Sequence, residues 1–357
     1  MDVSLAFPGP AIGCEWQALA RRSLSPSGYN APELLLPAFK RQPKAILATV
    51  RDSEGLQLAM PLIPSRLPFR FHASLSTPVS FFGLPHLGRY QAIPAMMALL
   101  RQLNQPLLLR SVPIDSIVWD VAKASAPHFA ILDTWERAAL RPEGSYAEWF
   151  DASFERKRRK EYRRLQARLS ESGKLAAVSL GADGDAVAWT DEFLELESRG
   201  WKGKRGTALN ADPLTAETLR ECLAGLSGAG KLRFWKLALD GQPIAMLFAI
   251  IEGREAWLGK IAHDEDLARF SPGVQLILHA TEQIFAEGIT AADSCADADH
   301  PMINHLWRTR LRVADVMIAA PTVDWTAFNM TLEAERLRRR IRASAKSIYC
   351  RLTGRQN

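Results

Sequence analysis

The chain has 357 residues, 47% of them hydrophobic and 24% charged, and carries a formal net charge of +6. That length holds roughly two domains, and the apolar fraction suffices for packed cores, which excludes a disordered or low-complexity chain. The positive excess is concentrated at residues 156–168 and 336–351, a distribution that attracts polyanions such as a nucleotide, RNA or an anionic membrane.

The first residues, MDVSLAFPGPAIG, have neither a basic segment nor an apolar core and do not read as a secretory signal. No apolar run in the chain nears the roughly 20 residues of a membrane span, so the expected location is the cytoplasm. Residues 14–24 read as a helix with Trp16 and Leu19 on one face, and the Pro/Ser/Gly-rich residues 25–43 as a connection. AILATV and LQLAMPLI flank the turn Asp52-Ser53-Glu54-Gly55 and read as a hairpin. Residues 64–85, rich in proline and aromatics, read as irregular, residues 90–103 as a helix, and LLLRSV and HFAILDTW as strands. Such alternation is α/β or α+β behaviour.

Residues 145–173 form a basic junction. Phe154, Tyr162, Leu165 and Leu169 fall at helical spacing opposite most of the charge, and Gly173 is the expected stop. KLAAVSL then reads as a strand and AWTDEFLELESRGW as a helix, followed by a loop with glycines at 200, 203 and 206. A second helix starts at Pro213, and LRFWKLAL, PIAMLFAII and EAWLGKIA form a three-stranded meander. Ser271-Pro272-Gly273 opens a long amphipathic helix, residues 290–295 form a short strand, HPMINHLWRT a helix and RVADVMIAA the last strand. From Glu333 the tail reads as a basic amphipathic helix with Leu337, Ile341, Ile348 and Leu352 as its stripe, a pattern suited to an anionic bilayer or to packing on the second domain. The cysteines at 14, 222, 295 and 350 show no CxxC or Cys/His spacing, so neither a disulfide framework nor a metal site is expected.

The sharpest local feature is a strand, a polar turn and then Ser271-Pro272-Gly273 at a helix start. The first N–H groups of a helix are unpaired and carry partial positive charge, which makes a seat for pyrophosphate. Proline suits the first turn, glycine lets an anion approach the backbone, and serine caps or donates its hydroxyl. An ordinary capped helix has the same pattern.

The order of elements across residues 174–320 resembles the GNAT acyltransferase fold. FLELESRGWKGKRGTAL, ARFSPGVQLILHATEQI and the strand ending at Asp293 are similar to the cellulose-biosynthesis (CelD-type) acetyltransferase branch, itself similar to Fem-type transferases with two GNAT-like halves. The resemblance implies two GNAT-like domains in tandem, each a mixed central sheet with flanking helices: residues 1–145, a basic connector 146–173, a catalytic domain 174–325 and a basic C-terminal helix 326–357. It implies that Ser271, Pro272, Gly273, Val274 and Gln275 hold the pyrophosphate of acetyl-CoA or another acyl-CoA. Leu258, Gly259, Lys260, Ile261 and Ala262 then pair with the pantetheine arm. Counted from Arg269, the positions where the family's phosphate signature has glycine and then glycine or alanine hold Pro272 and Val274, a departure from that signature.

Acyl transfer needs a proton acceptor, oxyanion donors and protonation of the leaving thiolate. Asp293 and His300 are the preferred acid/base pair, because the run from 293 to 300 begins at a strand end, with a residue that simply sits at a turn before the next helix the equal alternative for His300. Asp297 and Asp299 read as helix caps. Glu197 is the second-choice base, although a solvated helix face explains it as simply. Trp201 and Lys202, in the glycine loop, form an acceptor wall or an anion contact, with core packing the alternative for Trp201. Cys295 reads as a buried structural thiol. The expected activity is transfer of an acetyl or longer acyl group to an amine or hydroxyl of a small or sugar-linked acceptor in polysaccharide or cell-envelope metabolism. The alternatives are a Fem-type transferase using aminoacyl-tRNA, with the basic helix on the tRNA, and a catalytically silent scaffold holding a partner or membrane.

Overall fold

A computed structural model describes residues 1–65, 69–80 and 83–352, apart from the side chains at 202, 346 and 348–352. The first half runs β1 (Asp2–Ala6), α1 (Ile12–Arg22), α2 (Pro32–Lys40), β2 (Ile46–Asp52), β3 (Gly55–Ser65), β4 (Phe71–Ser74), β5 (His86–Leu87), α3 (Ala92–Leu103), β6 (Leu107–Pro113), α4 (Ile117–Ser125) and β7 (His128–Leu140). The junction is two helices, α5 (Tyr146–Ser153) and α6 (Arg156–Ser170). The second half runs β8 (Leu175–Ser179), α7 (Ala186–Arg199), α8 (Trp201–Lys204), α9 (Pro213–Gly228), β9 (Leu232–Leu239), β10 (Gln242–Glu252), β11 (Glu255–His263), α10 (Pro272–Ala286), β12 (Ala291–Asp293), α11 (Ile303–Leu306), β13 (Thr309–Ala319) and α12 (Trp325–Leu352).

Local chemistry explains most boundaries. The β9–β10 turn is Asp240-Gly241, both at positive φ (49° and 82°), as a two-residue hairpin demands. Ser145 and Glu148 close a capping box at the start of α5. Asp185 and Asp212 cap α7 and α9 through their carboxylates, and α9 carries Pro213 at its first position.

Several expectations are corrected. The Pro/Ser/Gly-rich connection contains α2, because Pro32 starts the helix and Leu34, Leu35, Ala38 and Phe39 gain burial that outweighs an internal Pro37. The segment read as irregular contains β4, β7 continues five residues past Trp135, and the basic helix stops at Ser170 rather than Gly173. The glycine loop after α7 contains the helical turn α8, and the helix expected over HPMINHLWRT shrinks to α11. The tail helix begins at Trp325, earlier than expected, and Ile348 and Leu352 of its predicted stripe lie outside the described side chains.

All strands join one sheet, in the order β1-β2-β3-β4-β6-β13-β7-β12-β11-β10-β9-β8, with β5 added on β3. The last strand, β13, inserts between β6 and β7, antiparallel to both, and β7 pairs antiparallel with β12 on its other edge. Val316 and Ile318 of β13 thereby enter the core of the first half. In exchange α2 packs on α9, with Leu34 and Ala38 in one cluster with Leu219, Leu223 and Phe193. The Cys222 thiol donates to the Leu34 carbonyl at 3.0 Å, and Lys231 bridges Glu33 (3.2 Å) and Glu252 (2.8 Å) across the same seam. Among the described residues no helix is long and apolar enough to cross a membrane.

Near that seam His86 is fully buried, and its Nδ1 accepts the Trp16 Nε1–H at 3.0 Å. Burial, with Lys231 adding to it, pushes its imidazole down to about 3. An unfolded chain keeps histidine near 6.5. Between those values the unfolded state binds the extra proton, so this contribution to stability is complete above about pH 6.5 and is lost as pH falls toward 3, at up to about 1.4 kcal/mol per pH unit. His86→Gln, which keeps an acceptor for Trp16, is expected to flatten the loss of stability seen by urea unfolding between about pH 6.5 and about pH 5.

Candidate functional site

The strands β11 and β12 are parallel and paired over Glu255, Ala256 and Trp257 against Ala291, Ala292 and Asp293, and then part. Two features open the gap. β12 ends at Asp293, and Cys295 takes a left-handed φ of 53°. On β11 a bulge sets Gly259 and Lys260 against Phe248 alone, since Leu247 faces Ile261 and Ala249 faces Leu258. A Cβ on Gly259 would stand 2.1 Å from the Phe248 ring, so only glycine lets strand and ring lie this close.

A cavity of about 510 Å³ fills the gap. Leu258, Gly259, Lys260 and Ile261 line one side, and Ser294, Cys295, Ala296, Asp297 and His300 the other. The first half supplies Ser111, Trp135 and Arg137. A second cavity of about 610 Å³ shares Trp201, Ile261, Asp297 and His300 with it and adds Glu197, Arg205, His263, Glu265 and Met302. A third, of about 510 Å³, is lined by Asp293, Arg141 and Glu255 and meets the first at Arg137. Burial, with Asp293 adding to it, holds the Glu255 carboxyl above its ordinary range although Arg141 pulls it down.

At the base of the gap Arg137 on β7 and Asp293 on β12 form an ion pair at 2.5 Å, with side chains only 3% and 10% exposed. Burial lowers the Arg137 guanidinium, but its ion pair and hydrogen bond with the Asp293 carboxylate oppose this, and it stays above its usual value. The other Asp293 oxygen accepts the Cys295 N–H at 2.9 Å. Ser111, also left-handed (φ 55°), is held the same way: its N–H reaches Asp315 at 2.7 Å, and Asp315 pairs with Arg339. A buried Asp–Arg pair and a half-buried one thus pin two strained residues that both line the first cavity. Burial, then Asp293, pushes the Cys295 thiol far up, so it stays a thiol, although the residue expected to be buried is only half-buried and lines the first cavity. Tyr29, from the first half, donates its hydroxyl to the Leu258 carbonyl at 3.0 Å where the strands separate.

The residues singled out from sequence are distributed unevenly over this geometry. Asp293 and His300 are not brought together: Asp293 is held by Arg137 and the Cys295 N–H and opens on the third cavity, whereas His300 opens on the first two. Asp297 and Asp299 do not cap α11 with their side chains. The His300 Nδ1 takes that place, accepting the N–H groups of Met302 (3.3 Å) and Ile303 (3.4 Å). An imidazole whose Nδ1 accepts carries its proton on Nε2 when neutral. Glu197 is buried rather than on a solvated face. It accepts the Leu209 N–H at 2.8 Å, tying the segment after α8 back to α7. Trp201 stands 47% exposed between the first two cavities with Arg205 stacked at 4.8 Å, so it forms a wall and not core. The Lys202 side chain lies outside the described residues.

Leu258, Gly259, Lys260, Ile261 and Ala262 all line the first or second cavity. Ser271, Pro272, Gly273, Val274 and Gln275 line neither. Ser271 is the N-cap of α10 in a left-handed conformation without a side-chain bond, Gly273 is buried, and the Met302 thioether lies 3.1 to 3.2 Å from where a Gly273 Cβ would stand. Gln275 turns its amide onto the Phe270 carbonyl at 2.8 Å. The helix start exists as expected, and a flexible methionine covers it. Among the described residues no group of three or more His, Cys, Asp or Glu side chains is placed to hold a metal ion. Sequence reasoning missed Tyr29, Trp135 and Arg137. A charged Arg137 followed by Ala138, Ala139 and Leu140 was the one available signal, an arginine inside a strand that continues apolar.

A family model described as an acetyltransferase (GNAT) domain matches residues 156–300, the segment that holds both sides of the gap. No curated protein sequence matches the chain. Among solved structures the chain is similar to a conserved protein of unknown function from Bacteroides thetaiotaomicron, at 12% identity and a TM-score of 0.57, covering 89% of this chain and 100% of that one. It is also similar to the C-terminal domain of a putative lysylphosphatidylglycerol synthetase from Agrobacterium fabrum, at 11% identity and 0.57, covering 90% and 95%. A third similarity is to FemX, at 12% identity and 0.56, covering 90% and 98%. At such identities the likeness is one of fold: mixed α/β, GNAT-like, with one large mixed sheet and flanking helices.

Proposed function

We propose that this protein is an acyltransferase that moves an acetyl or longer acyl group from a coenzyme A thioester to an amine or hydroxyl, on a small or sugar-linked acceptor of polysaccharide or cell-envelope metabolism. The observation that carries this reading is the parted pair β11 and β12, with a cavity running from Leu258 to Ile261 on one wall and from Ser294 to His300 on the other. Residues 174–325 are the catalytic unit in this reading. Residues 1–145 complete its floor, residues 146–173 and 326–357 are basic helical segments, and the proposed location is cytoplasmic.

The donor arm lies along β11 and its acyl carbonyl enters the gap. The acceptor comes from the Trp201 side, where Asp297 takes its proton directly or through water, with Glu197 deeper in the same cavity. Attack on the carbonyl carbon forms the new bond and an oxyanion, which backbone N–H groups of the bulge stabilise. Collapse breaks the carbon–sulfur bond and expels the thiolate. The tautomer of His300 makes it a donor, suited to the oxyanion or the departing sulfur, rather than a base. Pyrophosphate reaches the start of α10 only when Met302 swings aside.

A second reading, aminoacyl-tRNA as donor, is favoured by α6. Its exposed face presents Arg156, Lys157, Lys160, Arg163 and Arg168, and the helix packs against the turn at residues 268–270 that leads into α10. One thermal-shift experiment separates the two. Acyl-CoAs of increasing chain length at about 100 times their Kd should stabilise by about 2.7 kcal/mol, seen as a rise of a few degrees in Tm. Gly273→Glu should abolish the rise and Met302→Ala should enlarge it. No shift with any acyl-CoA, together with salt-sensitive tRNA binding lost on neutralising Arg156, Lys157, Lys160 and Arg163, sinks the first reading in favour of the second.

A further inference from the structure

The C-terminal helix α12 changes character along its length. Its first turns are docked: Phe328, Leu332 and Glu335 are buried against the sheet, Glu335 holds Arg338 and Arg339, and Arg339 reaches Asp315 on β13 at 2.7 Å. From Arg340 to Ala345 every residue is exposed, so the helix leaves the body of the protein there. Opposite the docked face lies a second apolar stripe. At about 100° per residue, Met330, Leu337 and Ile341 fall within about 40° of one another and roughly 150° from the buried side. They are 50%, 57% and 60% exposed, which large aliphatic side chains in one row rarely are without a use.

Around Leu337 and Ile341 the charge is predominantly positive, and the one exposed carboxylate beside the stripe, Glu333, is held by Arg336 at 2.6 Å. Arg336 and Arg340 flank it on one side and Arg338 and Arg342 on the other, and after Glu335 the sequence has no acidic residue. A second copy of the helix would set mostly arginine against arginine, since the nearby Glu333 is already held by Arg336, whereas a paired seam is usually flanked by opposite charges. A nucleic acid would engage the arginines but would leave Leu337 and Ile341 in water. An anionic bilayer surface satisfies both, with aliphatic side chains at the boundary between headgroups and acyl chains and arginines on the lipid charges.

We propose that the exposed face of α12 around Leu337 and Ile341 docks on an anionic lipid surface and holds the protein peripherally at a membrane. This goes beyond the acyl-transfer reading and does not depend on which donor is used. The test is co-sedimentation of the full chain with large vesicles of phosphatidylcholine alone or with about a third phosphatidylserine. Binding is expected only to the anionic vesicles, falling roughly tenfold as salt rises from about 0.05 to about 0.3 M. Leu337→Asp with Ile341→Asp should abolish it while leaving Tm and helical circular dichroism unchanged, because both positions are exposed. Arg340→Gln with Arg342→Gln should weaken it and flatten its salt dependence. Unchanged sedimentation of the Leu337/Ile341 variant, or equal binding to neutral vesicles, overturns the proposal. So does a concentration-dependent dimer that the same variant abolishes, because a second copy would then occupy the stripe.

Discussion

Asp293→Ala is expected to destabilise the fold by about 3–5 kcal/mol, because it leaves the Arg137 guanidinium, 3% exposed, without its counter-charge in a place water barely reaches. The substitution also releases the Cys295 N–H, so the left-handed turn that opens the gap loses its tether. Replacing both partners, Arg137→Met with Asp293→Leu, removes the buried charge altogether and is expected to recover most of the loss. Urea unfolding of wild type, Arg137→Met, Asp293→Leu and the double variant forms a mutant cycle that measures the coupling directly. A double variant as unstable as Asp293→Ala would show that the pair holds the strands through shape rather than charge. In either case the first cavity should widen or collapse, because Arg137 stands between it and the cavity beyond β12.

The same pair marks how far the sequence could be read. Turns and caps were legible because a few adjacent residues decide them: Asp240-Gly241 bends back at positive φ, and Pro272 opens α10. The hairpin around Asp52 to Gly55 and the meander of β9, β10 and β11 followed from such signals. α2 was hidden by its own prolines and emerges because α9 covers Leu34 and Ala38 while α1 and the sheet cover Leu35 and Phe39. The insertion of β13 between β6 and β7 was not legible, because an apolar strand carries no mark of which neighbours it will join. The candidate site divides along the same line. Gly259 and the stretch 294–300 were in view, whereas Tyr29 and Arg137 reach the gap from the other half of the chain. Met302 was invisible for a related reason: it lies in the helix predicted over HPMINHLWRT, and only the shortening of that helix to four residues places its thioether over Gly273.

Gly259→Ala is expected to weaken acyl-CoA binding by one to two orders of magnitude, about 1.4–2.7 kcal/mol, at a stability cost of about 1–3 kcal/mol from overpacking. The added methyl would stand 2.1 Å from Phe248, and that ring cannot step aside. It is 4% exposed and locked edge-on between Phe193 and Phe234, at centroid distances of 5.7 and 5.8 Å. The strand must yield instead, and the part that yields is the bulge whose backbone faces the gap. Titration calorimetry with acyl-CoA gives the affinity, and urea unfolding gives the stability. Phe248→Leu in the same chain frees the space without altering the strand, so the double variant should bind nearly as well as wild type. If Gly259→Ala bound acyl-CoA normally, the donor would not run along β11. If the double variant stayed weak, glycine would be needed there for the ligand's own close approach rather than for the ring beneath it.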